Sequence, residues 1–315
     1  MDLEQVLSFS FRDAEIRGVV AQLGPSYQEL TRQHAVNEAD ISQTLPEHPL
    51  FIRQLLGEMG LAVAMMGSNL KIPGKLSLQI RGTGRIKDAF VELSLPADVA
   101  EQEDLSTPPS SFKIRGIVRI DDNTPQPDAI DLREWAGDKS VLAITILPDH
   151  GQSYQGVVGL EKSRFMHCLE DYYTQSEQIP TRFWFQSTHE MAAGFMLQQL
   201  PPTESTQAAA NTIDWQTALT LAGTIRADEL IKSKPVDLLF NLFHEFPPLV
   251  HQQKRLEYEC SCTESRLKKG LLSLGVTEIQ ALVDEPQLQV NCNICGQSYT
   301  FDTQALLQEV IELHS

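Results

Sequence analysis

Hydrophobic positions recur along this chain with two periods. Leu76, Leu78 and Ile80 alternate with Ser77, Gln79 and Arg81, the two-residue period of a half-buried strand. Leu142, Ile144 and Ile146 repeat that stripe, and Phe183-Trp184-Phe185 reads as a further strand. From Leu50 to Met66 the chain is rich in Leu, Met and Ala and free of Pro, which predicts a helix buried around most of its circumference. Gly57 and Gly60 weaken that helix, and Arg53 and Glu58 make it too short and too polar to span a bilayer. Phe165, Cys168, Leu169 and Tyr172 fall at helical spacing. Acidic and Pro-rich loops, Glu101 to Ser111 and Asp121 to Asp128, separate these elements. The pattern predicts an α+β fold, with a sheet-and-helix domain over residues 1–185.

Residues 186–234 read differently. Met191 to Leu197 is apolar and runs to Pro201-Pro202, and a polar Ala- and Thr-rich stretch, Thr203 to Thr212, follows. Asp214 then caps a helix through Trp215, Leu219, Ala222 and Ile225. Its threonines and Gly223 give it little intrinsic stability, so this helical linker is expected to depend on packing.

Residues 235–315 predict a small third domain. Leu256-Glu257-Tyr258-Glu259 alternates as a strand and delivers Cys260. Leu267, Leu271 and Leu274 form one helix face ended by Gly275, and Thr277 with Gln280 matches a capping box for the next helix, which stops before Pro286. Leu288-Gln289-Val290 leads as a strand to Cys292, and Tyr299 and Phe301 alternate on the strand leaving Cys295. Asp302 caps a last helix with Leu306, Val310 and Leu313 on one face.

The net charge of −17 repels phosphate backbones, and Lys254-Arg255 and Lys268-Lys269 are too small to form a basic stripe. Nucleic acid is therefore not an expected partner. The N-terminus, Met1-Asp2-Leu3-Glu4, has no basic region before an apolar core and does not read as a secretory signal. No glycine loop suited to cradling phosphate occurs, and the eight histidines form no metal-spaced cluster.

Cysteine placement carries the chemistry. Cys260-Ser261-Cys262 is followed, after 29 residues (263 to 291), by Cys292-Asn293-Ile294-Cys295. Two close thiol pairs in a small domain suit a tetrahedral zinc site. Alternate residues of an extended strand share a face, so Cys260 and Cys262 can meet one metal while Ser261 turns away. Gly296 frees the backbone after the second pair, and Lys254 or Arg255 can offset the charge of four thiolates around Zn²⁺. Three functions fit this spacing: a purely structural zinc ribbon, a zinc site that doubles as a redox switch, and a thiol–disulfide oxidoreductase using Cys292 and Cys295. The helix start that activates a catalytic Cys-x-x-Cys pair is missing from the pattern, because strands flank it. Cys168 shares a helix face with Phe165, Leu169 and Tyr172 and reads as a core residue; its neighbour His167 points about 100° away. Met65, Met66, Met191 and Met196 likewise read as core.

The cysteine order, together with further segments, resembles the redox-regulated 33-kDa heat-shock chaperonin family. Those segments are Gly151 to Val158, Cys168 to Tyr173 with Gln175 to Thr181, Ala192 to Gln198, Leu242 to Glu245, Ser273 to Gly275 and Tyr299 to Asp302. The resemblance spans nearly the whole chain and is weakest from about Val91 to Asp138. It implies a cytoplasmic, ATP-independent holdase for unfolding client proteins under oxidative stress, not an enzyme and not a membrane protein. It implies one Zn²⁺ held by Cys260, Cys262, Cys292 and Cys295 when reduced and inactive. On oxidation it implies Cys260–Cys262 and Cys292–Cys295 disulfides, zinc release, unfolding of the last domain and linker, and a shift from monomer to homodimer.

Overall fold

The computed structural model describes residues 4–12, 14–33, 47–96, 111–127, 130–201, 212–282 and 285–313. The expected polar stretch Thr203 to Thr212 and acidic loop Glu101 to Ser111 lie outside these residues, except for their last members. Two compact units form. One is Met1–Thr31 with His48–Tyr258, and the other is Arg32–Glu47 with Glu259–Ser315.

The first unit is built on a ten-stranded sheet. Its strands are β1 (Gln5–Ser10), β2 (Ile16–Leu23), β3 (Gly74–Arg81), β4 (Ile86–Leu95), β5 (Ser111–Ile120), β6 (Val141–Pro148), β7 (Tyr154–Gly159), β8 (Thr181–Ser187), β9 (Ala192–Gln199) and β10 (Leu249–Tyr258). Their spatial order is β7-β6-β3-β4-β5-β10-β1-β2-β9-β8. Neighbours are antiparallel except β10 and β5, which run parallel from Arg255 opposite Ser111 to Tyr258 opposite Ile114. The predicted stripes at Leu76–Ile80, Leu142–Ile146 and Phe183–Phe185 fall on β3, β6 and β8.

Four helices, α1 (Pro25–Leu30), α2 (Leu50–Ser68), α3 (Leu132–Ala136) and α4 (Phe165–Tyr172), belong to the core on one side of the sheet. The 19-residue α2 is its centre, packed against β2, β4 and β9. Its glycines serve close approach. A Cβ on Gly57 would stand 2.7 Å from the Tyr27 ring, and one on Gly60 3.0 Å from Leu23 and Leu30. By length and composition α2 is long and apolar enough to cross a membrane, contrary to the expectation from its charges. Burial accounts for it: 78% of its apolar window is covered by the rest of the protein, as in a core helix. Met65, Met66 and Met196 are buried, and Met191 packs at the edge of the second core.

The opposite face of β1, β2 and β9 is covered by α5 (Trp215–Ala222), α6 (Ala227–Lys232) and α7 (Pro235–Leu242). Alternation along β2 divides the two cores: Val19, Ala21 and Leu23 join α2, while Ile16 and Val20 join α5 to α7. Asp214 caps α5 as predicted, accepting from the Thr217 amide at 2.9 Å. These helices have eight, six and eight residues, below the dozen or so that persist alone, so packing holds them. Phe243, just past α7, sits in a nest of Phe9, Phe11 and Phe195, with ring centroids 4.9 to 6.4 Å away.

Residues 186–187 end β8, residues 192–199 form β9, residues 213–243 supply the second core, and β10 is an inner strand. After Arg32–Glu47, the second unit resumes at Glu259. It holds α8 (Glu264–Leu272), α9 (Val276–Gln280), the hairpin β11 (Gln287–Asn291) and β12 (Ser298–Asp302), and α10 (Thr303–Leu313). Asp302 caps α10 as expected, accepting from the Ala305 amide at 2.8 Å. Two expectations fail. Gly275, at φ +101°, occupies the cap position of α9, so Thr277 lies inside the helix and forms no capping box. Leu306 and Val310 are buried, but Leu313 is 66% exposed, because α10 ends at that residue.

Glu58 is the acidic residue of the largely apolar core helix α2. It lines a cavity of about 160 Å³ with Arg164. Burial pushes its carboxyl from the usual 4.5 up to about 7, against the pull of Arg164. A carboxyl raised in the folded state supports folding fully below its unfolded value and loses that support as pH rises through about 7. Glu58→Gln should therefore raise the thermal midpoint at pH 8, by about 2–4 °C for each kcal/mol recovered, and change it little at pH 4. Calorimetry at both pH values checks this.

Candidate metal centre

The second unit has little core of its own. Among its described residues only Ile279, Phe301, Leu306 and Val310 form a buried apolar cluster, and α8 buries no residue fully. Cys260 and Cys262 lie in an extended segment after β10, not in a strand as expected, because the ladder ends at Tyr258. Thr263 stops the segment by capping α8, its hydroxyl accepting from the Arg266 amide at 3.2 Å. Cys292 and Cys295 sit on the turn of the β11–β12 hairpin. That turn is closed by Gly296 N–H donating to the Cys292 carbonyl and Cys292 N–H donating to the Gln297 carbonyl, each at 2.8 Å. Gly296 adopts φ +70°, a conformation natural to glycine.

The four sulfurs converge to within 4.8 Å of one another. Cys260 Sγ lies 3.7 Å from Cys292 Sγ, and Cys262 Sγ lies 3.4 Å from Cys295 Sγ. A tetrahedron of thiolates with Zn–S bonds of about 2.3 Å has edges of about 3.8 Å. All five cysteines are free thiols. Both the donor chemistry and the spacing fit a zinc ion. The nearest sulfurs come from different pairs, so the folded geometry itself favours neither intra-pair bond.

Electrostatics separate the four. Burial raises the Cys260 and Cys295 thiols above their ordinary value. Burial also acts on Cys262, but hydrogen bonds led by that of the Tyr299 hydroxyl outweigh it and hold the thiol below its ordinary value. The same contact pushes the Tyr299 phenol up to about 12. The cation beside the ligand segment within this unit is Arg266, whose Nη1 donates to Ser261 O at 3.2 Å and Ser261 Oγ at 2.8 Å. Sequence reasoning named Lys254 or Arg255 for that role. Lys254 is instead buried on β10, with its ammonium 4.9 Å from the Phe112 ring centroid. Neither Arg266 nor Tyr299 was singled out for the site in the sequence. The one available signal was strand alternation, which sets Tyr299 four residues beyond Cys295.

Cys168 stands apart from this chemistry. It is fully buried in the first core, and burial pushes its thiol up to about 11. His167 instead contacts Glu170 on its own helix, Nδ1 to Oε2 at 3.3 Å. No helix begins at Cys292, so the dipole that activates a catalytic Cys-x-x-Cys pair is missing there.

Comparison with known proteins gives a consistent result. The family described as Hsp33 protein matches residues 4–302. The chain is 34% identical over 302 residues to the 33 kDa chaperonin of Ectopseudomonas mendocina, covering 95% of this chain and 92% of that protein. It is 34% identical over 309 residues to the 33 kDa chaperonin of Azotobacter vinelandii, covering 98% and 94%. The fold matches the crystal structure of the 33 kDa chaperonin of Thermotoga maritima with a TM-score of 0.73 over 99% of both chains, at 19% identity.

The five cysteines should separate cleanly on alkylation. Burial keeps the Cys168 thiol protonated at pH 8 in the folded protein, away from the reactive thiolate form. Iodoacetamide after chelator treatment should label Cys260, Cys262, Cys292 and Cys295 while Cys168 stays unmodified, as read by peptide mass mapping. Early Cys168 labelling in folded protein would contradict the burial argument.

Proposed function

The chain belongs to the Hsp33 protein family, and from that membership we propose that it is a redox-regulated, ATP-independent holdase. The observation that carries the redox reading is the convergence of four thiols within 4.8 Å in a unit with almost no other core. Cys260, Cys262, Cys292 and Cys295 hold one Zn²⁺ in the reduced protein. Bound there, the ion neutralises thiolate charge and contributes folding energy on the order of 10 kcal/mol.

Oxidation works through the ligands. Two thiolates, hydrogen peroxide and two protons give one disulfide and two waters, and each disulfide removes two donors. The pairs Cys260–Cys262 and Cys292–Cys295 close because unfolding after loss of the ligands leaves short loops as the readiest to form. The one-residue spacer is the more strained, so Cys292–Cys295 forms first. The division into residues 1–185, 186–234 and 235–315 is then one of behaviour, and within it the helices α5 to α7 are the part free to loosen, because β8, β9 and β10 are strands of the sheet.

Loosening of α5 to α7 uncovers Phe9, Phe11 and Phe195, an aromatic surface suited to unfolding clients. The charge of −17 keeps that surface soluble and disfavours nucleic acid. The protein acts in the cytoplasm, as a monomer when reduced and a homodimer when oxidised.

Zinc release measured alongside suppression of aggregation tests this reading. Reduced protein should carry one zinc per chain and leave a thermally unfolding client to aggregate. After peroxide it should release the metal and suppress light scattering without ATP. Equal protection by reduced, zinc-loaded protein would leave a constitutive holdase with a structural metal.

Phe243→Ala offers a second check. Removing the ring from its aromatic nest should cost about 3–5 kcal/mol of local packing. Hydrogen exchange should rise over residues 213–243 without peroxide while α2 stays protected, and reduced protein should gain partial holdase activity. Unchanged exchange there would contradict the packing argument.

A further inference from the structure

A second shell stands behind the cysteines. The Tyr299 hydroxyl lies 3.3 Å from Cys262 Sγ and 3.3 Å from the Cys262 carbonyl oxygen. Both acceptors belong to one residue, one on the side chain and one on the backbone. The hydroxyl has one proton to give, and 3.3 Å is long for a bond to the carbonyl oxygen but ordinary for one to sulfur, so the thiol is the better acceptor. Tyr299 stands opposite Val290 in the β11–β12 ladder, two residues before Cys292. Through this hydroxyl the hairpin that carries one cysteine pair grips the segment that carries the other.

That segment needs a grip. Residues 259–263 have no regular secondary structure; the Cys292 and Cys295 thiols meet those of Cys260 and Cys262, and Arg266 holds the Ser261 spacer. The Tyr299 ring packs at the margin of the small apolar cluster, a task phenylalanine performs equally. The hydroxyl is what tyrosine adds.

We infer that Tyr299 is a positioning residue for zinc retention, a hydroxyl latch that keeps Cys262 on the metal; this rests on the proposed zinc site. A hydrogen bond donated to a thiolate ligand holds the sulfur in its binding direction. It also draws electron density from the sulfur and so slows its attack on peroxide. Outer-shell partners of this kind change metal affinity by about 10–100-fold when removed. The latch would thus set how readily the reduced protein surrenders its metal, independently of the four ligands themselves.

The test uses the full-length chain with Tyr299→Phe, which keeps the ring and removes the oxygen, and Tyr299→Leu, which removes both. Competition with a chromophoric chelator should show zinc affinity about 10–100-fold lower in Tyr299→Phe, with faster zinc release under peroxide. In Co²⁺-substituted protein the sulfur-to-cobalt charge-transfer band should shift in Tyr299→Phe, a signature that a packing role would not produce. Wild-type affinity, release rate and cobalt spectrum in Tyr299→Phe would overturn the latch, and weakening confined to Tyr299→Leu would do so by assigning the effect to the ring. Failure of the wild-type chain to bind zinc at all would instead sink the zinc site on which the latch rests.

Discussion

One strand joins the two halves of this protein's sheet. β10 hydrogen-bonds to β5 on one side and β1 on the other, and no other pairing among the described residues links β7-β6-β3-β4-β5 to β1-β2-β9-β8. The parallel β10–β5 pair is the one departure from an otherwise antiparallel ladder, as befits a strand inserted late in the sequence between strands laid down early. α2 backs the seam, packing against strands of both halves. Lys254 is buried in it, its charge held against the Phe112 ring.

The same strand ends two residues before Cys260. The two units are stabilised by different physics. The larger has a continuous apolar core on one face of its sheet and an aromatic core on part of the other. Among the described residues the smaller has a buried cluster of four apolar side chains and a convergence of thiols. Apolar burial is insensitive to oxidants, whereas thiolate–metal bonds are lost when the sulfur is oxidised.

Between these extremes lie α5 to α7. Each is too short to persist alone, and each is held by the face it covers. The face beneath is the more apolar partner: Phe9, Phe11 and Phe195 form part of it, and Phe243 closes it. This is a cover of low intrinsic stability whose persistence rests on the apolar face it packs against.

Local periodicity and cysteine spacing determined much of this protein. The α2 helix, the stripes of β3, β6 and β8, the Asp214 and Asp302 caps and the four converging thiols were all legible, because each rests on interactions within a few residues or on a spacing of ligand atoms. Tertiary structure decided what depends on partners distant in sequence. Leu256 to Glu259 read as a strand of a small C-terminal domain, but hydrogen bonding to β5 and β1 makes β10 an inner strand of the large sheet. Composition gave no way to tell α2 from a membrane span except its two charges, and only the strands packed around it identify a core helix. Arg266 and Tyr299 joined the site for the same reason. A hydrogen bond from Tyr299 to Cys262 closes across 37 residues, and no local pattern in a sequence records which distant acceptor a hydroxyl will meet.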